Sequence, residues 1–154
     1  MAIPRAVAVV VDGSRALVIK RYLRRERSDV CAMCKGVGVE GPTCPGHRYA
    51  ILPGGHVEDG ETAETAAVRE LEEETTLQAR IERLLWTGRH NGRPASYFLM
   101  ADVVGTPVLS GPEAEAHGPE NSFELMWAAA EEFEALNLYP VDIRGELARV
   151  LQDE

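Results

Sequence analysis

Between Glu58 and Glu74 the chain carries eight acidic residues, with Arg69 as the one base opposing them. On a helix turning about 100° per residue, Glu70, Glu73 and Glu74 share a face. Like charges at i, i+4 cost a few tenths of a kcal/mol per pair on a solvated surface. A divalent cation such as Mg²⁺ or Mn²⁺ turns that repulsion into binding, because it takes carboxylate oxygens as ligands. Ala63, Ala66 and Ala67 lie on or beside the same face and are small enough to leave room for an ion. Just upstream, Leu52-Pro53-Gly54-Gly55 closes an apolar strand, and its glycines permit close backbone approach. Strand, glycine elbow and carboxylate helix together make a site for a metal ion and a phosphate. The competing reading is a solvated acidic helix, since Glu is a good helix former.

A second set of residues suits a different metal. Cys31-x2-Cys34, nine further residues, and Cys44-x2-His47 offer three thiols and an imidazole. Such a donor set fits tetrahedral Zn²⁺, and a site with all four positions filled by protein is structural. All three cysteines of the chain fall in this stretch, which favours zinc over three unrelated thiols. An insertion at about residues 28–48 would then be stapled beside the carboxylate helix.

These groups need elements to carry them. Ala6–Val11 and Ala16–Lys20 are β-branched and apolar, with Asp12-Gly13-Ser14 between them, and read as a hairpin. Arg21, Arg24, Arg25 and Arg27 form a basic run that reads as solvated surface, with a phosphate-attracting rim as the sharper alternative. Cys31–His47 reads as a loop and Tyr49–Leu52 as a strand. Glu64–Thr75 reads as a helix capped near Glu61-Thr62. Ile81–Trp86 and Tyr97–Val104 read as strands about an Asn91-Gly92 turn, and Gly105–Asn121 as a long irregular loop. Leu125–Ala128 reads as a last strand, with helices at Glu131–Leu136 and Ile143–Leu151. Alternating strands and helices in this order give an α/β or α+β sandwich.

Composition sets outer bounds. The chain has 154 residues, 45% of them hydrophobic, and a formal charge of -9. That size supports one domain with a real core. The acidic balance disfavours nucleic acid and anionic membranes as partners. The apolar run Val7–Val11 is too short to span a bilayer and lacks a leader-like layout, so the expectation is a cytoplasmic protein with reduced thiols. Trp86, Trp127, Phe98, Phe123, Phe133 and Tyr97 read mainly as core or its edge.

Gly55, five residues, Glu61, seven residues, and then Arg69-Glu70-Leu71-Glu72-Glu73-Glu74-Thr75-Thr76-Leu77 resembles the Nudix box, GX5EX7REUXEEXGU. Every fixed position over these 23 residues agrees except Thr76, where the pattern has Gly. The resemblance implies an α/β fold, an α/β/α sandwich with a mixed sheet, as a single domain over residues 1–154. It implies hydrolysis of a small-molecule nucleoside diphosphate linked to a further group X, with Mg²⁺ or Mn²⁺ as cofactor. By the same resemblance Glu70, Glu73 and Glu74, with the Gly54 carbonyl, hold the metal. Arg69 orients these carboxylates through an ion pair with Glu61. Glu73 is one choice of general base. Members of the family often place the base outside the box, which points to the loop acids Glu113, Glu115 and Glu120, of which Glu120 is taken. Apart from the resemblance, Arg48, Arg89, His90 and Arg93 are candidates to approach the substrate phosphates, and Arg48 and Arg89, with Gly55, are taken as the substrate contacts. The family also leaves room for a homodimer.

Thr76 replaces a glycine that ends the helix in a left-handed conformation, which a β-branched residue tolerates poorly, so a different helix exit is expected. Two other readings compete. A Nudix-fold nucleotide-binding or regulatory protein without catalysis need not keep the carboxylate trio, which is intact here. A zinc-containing interaction module would bind zinc, ignore Mg²⁺ and release no phosphate.

Overall fold

The computed structural model describes residues 3–153. The strands are β1 (Arg5–Val9), β2 (Val11–Asp12), β3 (Arg15–Leu23), β4 (His47–Ile51), β5 (Gly54–His56), β6 (Gln78–His90), β7 (Arg93–Val104) and β8 (Asn121–Ala129). The α-helices are α1 (Ala32–Val37), α2 (Ala63–Thr75), α3 (Gly111–Ala116) and α4 (Ile143–Asp153). One mixed sheet has the order β5-β1-β7-β6, with β1 parallel to β7 and antiparallel to β5. In a second sheet β3 pairs antiparallel with β2 at its start, with β4 at its end and with β8 along its whole length.

Two helices sandwich this frame, and the alternation along β1 shows how. Ala6, Ala8 and Val10 join Leu17, Phe98 and Met100 against Ala66, Ala67 and Leu71 of α2. Val7 and Val9 join Val18, Leu99 and Tyr97 against Leu147 and Leu151 of α4. Both faces of β1 are therefore buried, and its sequence is apolar at every position from Ala6 to Val10 rather than at alternate ones. A third small cluster holds Cys31, Met33, Cys34 and Cys44 against Leu23 and Tyr49. The architecture is the expected α/β class.

Five local expectations differ. Ala6–Val11 does not form a hairpin with Ala16–Lys20. Only Val11 and Asp12 pair with Ala16 and Arg15, while β1 crosses to the other sheet and lies between β5 and β7. The stretch from Cys31 to His47 contains the short helix α1, and the loop after β7 contains α3. Glu131–Leu136 is not a full helix but a 3-10 turn at Ala130–Glu132 followed by turns. Thr76 takes the left-handed conformation after all, at φ 65° and ψ 0°. Its N–H donates to the Glu72 carbonyl at 2.9 Å, and Leu77 N–H donates to Thr75 Oγ1 at 3.2 Å. The exit that glycine usually makes is thus made here against the preference of a β-branched side chain.

Candidate active site

Helix α2 begins at Thr62, whose hydroxyl accepts from the Thr65 N–H. Ala66, Ala67, Leu71 and Glu74 lie along its buried face. The alanines do not clear space for an ion, as the sequence suggested. They let α2 approach the sheet closely, and that approach buries Glu74 to 3% exposure. The Gly54 N–H donates to Glu74 Oε1 at 2.9 Å. Burial, then the like charges of Glu113 and Glu70, push the Glu74 carboxyl well above its ordinary pKa, against the pull of Arg5. Glu70 is also raised, first by burial, with Arg69 opposing.

Arg69 organises the other acids. Its Nε and Nη2 grip Glu61 at 2.7 and 3.0 Å, a bidentate pair. Its Nη1 reaches Glu70 Oε1 at 2.9 Å and Glu73 Oε2 at 3.2 Å, and Nη2 donates to the His56 carbonyl at 3.0 Å. The Glu61 hydrogen bond is the main reason Arg69 stays protonated far beyond its usual range and Glu61 falls below its own. Gly55 is required by this packing, since a Cβ there would lie 2.5 Å from Glu70 Oε1.

The loop after β7 is tied to the end of α2. Val108 and Ser110 donate N–H bonds of 2.9 Å to the Thr75 and Glu74 carbonyls. This carries α3 and Glu113 to the trio. Glu113 Oε2 is buried and finds no hydrogen-bond partner among the described residues. Three mutually repelling carboxylates with an unsatisfied oxygen form a hard-oxygen donor set that suits Mg²⁺ or Mn²⁺. The residues present fit the ion.

Glu113 borders a cleft of about 340 Å³ whose lining also includes Arg5, Arg21, Tyr49, His90 and Phe123. Arg21 lies over the Phe123 ring, with its guanidinium 4.0 Å from the centroid. Arg5 pairs in register with His56 and Ala95, and its Nε is buried without a partner among the described residues. Burial lowers the Arg5 pKa, with Glu74 the first of the charges that oppose this. Burial, followed by Arg5 and Arg93, holds His90 down at about 4, so its imidazole is neutral at pH 7.

Next to Ala32 and Met33, which line the same cleft, the four sulfur and imidazole donors of Cys31, Cys34, Cys44 and His47 all lie within 4.8 Å of one another. Cys34 Sγ is 3.2 Å from His47 Nε2, and Cys44 Sγ is 3.8 Å from Cys31 Sγ. The cysteines are buried and free. Such spacing fits one tetrahedral ion with soft ligands.

The structure brings Glu70, Glu74, Arg69 and Gly55 together, with Glu73 on the exposed side of the group. It places Glu120 elsewhere, in an exposed pair with Arg24 at 3.0 Å. Glu113 is instead the loop acid whose charge acts on Glu74 and Glu70. Arg48 is exposed and lies over the Tyr22 ring, 4.7 Å from its centroid. Arg89 donates to the Gly92 carbonyl of its own hairpin at 3.2 Å. Of the other histidines, His56 contacts Arg93 and His117 accepts from the Phe123 N–H. Arg5 carries no local signal in the sequence, since only the pairing of β1 with β5 and β7 brings it to the acids.

A family model described as the NUDIX domain matches residues 2–145. An ADP-ribose pyrophosphatase of Methanocaldococcus jannaschii is 39% identical over 69 residues, covering 42% of this chain and 41% of that protein. An RNA pyrophosphohydrolase of Erythrobacter litoralis is 31% identical over 104 residues, covering 55% of this chain and 62% of that protein. The matches therefore span less than two thirds of either curated relative. A NUDIX-family hydrolase from Clostridium perfringens superposes with a TM-score of 0.66 at 14% identity, over 99% of this chain and 97% of that one, and shares the fold.

Proposed function

The chain belongs to the Nudix family, and from that premise we propose that it is a metal-dependent hydrolase cleaving the diphosphate linkage of a nucleoside diphosphate joined to a further group X. The observation that carries this reading is Glu74, buried to 3% exposure with Glu70 and Glu113 as like-charged neighbours. That arrangement is unfavourable without a cation. The relatives named for ADP-ribose and RNA pyrophosphate chemistry support the reaction class.

Glu70, Glu73 and Glu74, with the Gly54 carbonyl, would hold Mg²⁺ or Mn²⁺. When bound, the ion offsets charge on the diphosphate oxygens and lowers the pKa of an attacking water. Arg69 keeps Glu70 and Glu73 in place while Glu61 fixes its guanidinium from the other side. Glu73, the most exposed of the trio, accepts the proton from water, or Glu113 does through its free Oε2. Glu113 is preferred to Glu120 as the loop acid, because its charge acts on Glu74 while Glu120 sits in an exposed pair with Arg24. Arg5 and Arg21 give the cleft the positive charge that attracts the diphosphate.

The chain acts as a single domain with a zinc-binding insertion at about residues 28–48. Zn²⁺ on Cys31, Cys34, Cys44 and His47 is structural, and no step of the reaction depends on it. Among the described residues no helix is long and apolar enough to cross a membrane, and three free thiols suit the reducing cytoplasm. A panel of nucleoside di- and triphosphates and diphosphate conjugates, assayed with Mg²⁺ or Mn²⁺ for released phosphate, pyrophosphate or nucleoside monophosphate, tests the reading. Turnover lost in Glu74→Gln supports it. An absence of turnover across the panel refutes it.

A further inference from the structure

The insertion does more than close around its own ligands. Cys31 caps α1 by accepting the Cys34 N–H, so two of the four donors sit in its first turn. The far side of that turn faces the β6–β7 hairpin. Ala32, Lys35 and Gly36 line one wall of a pocket of about 550 Å³, and Arg5, His90 and Arg93 line the other. Gly36 comes so close to the hairpin that a Cβ would strike the Asn91 side chain and lie 2.9 Å from Tyr139 Oη. Tyr139 Oη in turn donates to Asn91 Oδ1, which fixes the tip of the hairpin beneath α1.

The pocket has one sign of charge. Lys35, Arg5 and Arg93 bring three cations, and no acid lines it. His90 adds no positive charge near pH 7 but offers an imidazole. The buried Arg5 Nε has no partner among the described residues, and an anion would supply one. Arg5, Ala32, His90 and Asn91 border both this pocket and the cleft that holds Glu113, so the two adjoin.

We infer that Lys35, carried on the Cys/His-anchored helix α1, completes an anion subsite with Arg5 and Arg93 that receives a phosphate of the substrate beyond the hydrolysed linkage. The preferred substrate class is then a nucleotide whose group X itself ends in phosphate, as in a nucleoside triphosphate, over a nucleoside diphosphate sugar. The inference rests on the hydrolase reading and sharpens it. It also gives the Cys/His cluster a purpose, which is to hold Lys35 at the mouth of the cleft.

Lys35 is exposed, so Lys35→Ala keeps the fold. Inorganic tripolyphosphate is titrated calorimetrically into the full chain without Mg²⁺, which measures the subsite apart from turnover. The expected result is about tenfold weaker binding in Lys35→Ala and in Arg93→Ala, the loss typical of one charge-assisted contact, with recovery in Lys35→Arg. Zinc-stripped protein is expected to bind like Lys35→Ala. In turnover, Lys35→Ala raises KM for a nucleoside triphosphate about tenfold and moves KM for a nucleoside diphosphate sugar far less. Tripolyphosphate binding equal to wild type in both alanine variants would overturn the inference, whatever the enzyme hydrolyses. If the wild type hydrolyses nothing, the hydrolase reading fails, and the tripolyphosphate titration still decides the subsite.

Discussion

Replacing Glu74 by Gln should make the metal-free protein more stable while removing its response to magnesium. Gln keeps the acceptor for the Gly54 N–H and the volume of the side chain, and removes the charge. At pH 7 a buried carboxyl with an ordinary pKa of 4.5 can escape its penalty by taking up a proton. Taking up a proton costs about 1.4 kcal/mol per pH unit, so the penalty is capped at about 3 kcal/mol. Arg5 offsets part of it, which leaves a gain of about 1–3 kcal/mol, or about 3–9 °C in Tm for a domain of this size. The sign follows from the raised pKa. Glu74 costs the wild type nothing below pH 4.5, and the cost grows as pH rises toward its folded value. The Tm gap should therefore vanish near pH 4 and open by pH 7. Added magnesium should raise the wild-type Tm by ligand linkage and leave Glu74→Gln unmoved. Differential scanning calorimetry in magnesium-free buffer, without chelator so that the Cys/His cluster is untouched, measures both effects. A variant that melts below wild type at pH 7, or a gap independent of pH, would refute the burial argument.

Three other outcomes are expected. Thr76→Gly should stabilise by about 1 kcal/mol, because relief of a β-branched residue at φ 65° outweighs the entropy of glycine and the weak 3.4 Å bond to the Thr106 carbonyl; thermal melting should shift upward by about 2–4 °C. The His90 ring should titrate near 4 by NMR and move toward 6.5 in Arg93→Ala; since its folded pKa is lowered, it costs stability as pH falls from 6.5 toward 4, and a midpoint near 6.5 in the wild type would contradict the burial of that ring. Elemental analysis should find one zinc per chain in protein purified without chelator and none in Cys34→Ser, with loss of the Co²⁺ thiolate band in the variant as the cross-check.

Much of α2 is legible in the sequence, because its cap at Thr62, its length and its acid spacing are local features. The Asn91-Gly92 hairpin is legible for the same reason, and both residues take the positive φ that such a turn requires. The first strand is not. Both of its faces are buried, so the alternation that would have separated β1 from the β2–β3 hairpin is missing, and its parallel partner lies some 90 residues downstream. The choice among the loop acids is also hidden. What brings Glu113 rather than Glu120 to the trio is a pair of backbone bonds from Val108 and Ser110 to the end of α2, which no side-chain pattern announces. Arg5 and Lys35 fail for a related reason. Each is an ordinary surface-type residue until the sheet order and the Cys/His cluster place them at one cleft. The four metal-type ligands of the insertion, by contrast, lie at short spacing and are met in the structure as a single cluster.

The most direct test is a Mn²⁺ titration followed by electron paramagnetic resonance, in the presence of a non-hydrolysable nucleoside diphosphate analogue. The wild type should deplete the free-ion signal at micromolar to millimolar Mn²⁺, and Glu70→Gln and Glu74→Gln should leave it free while retaining wild-type circular dichroism. If the wild type fails to take up Mn²⁺ under these conditions, or if both variants take it up equally well, the carboxylate face of α2 is not a metal site.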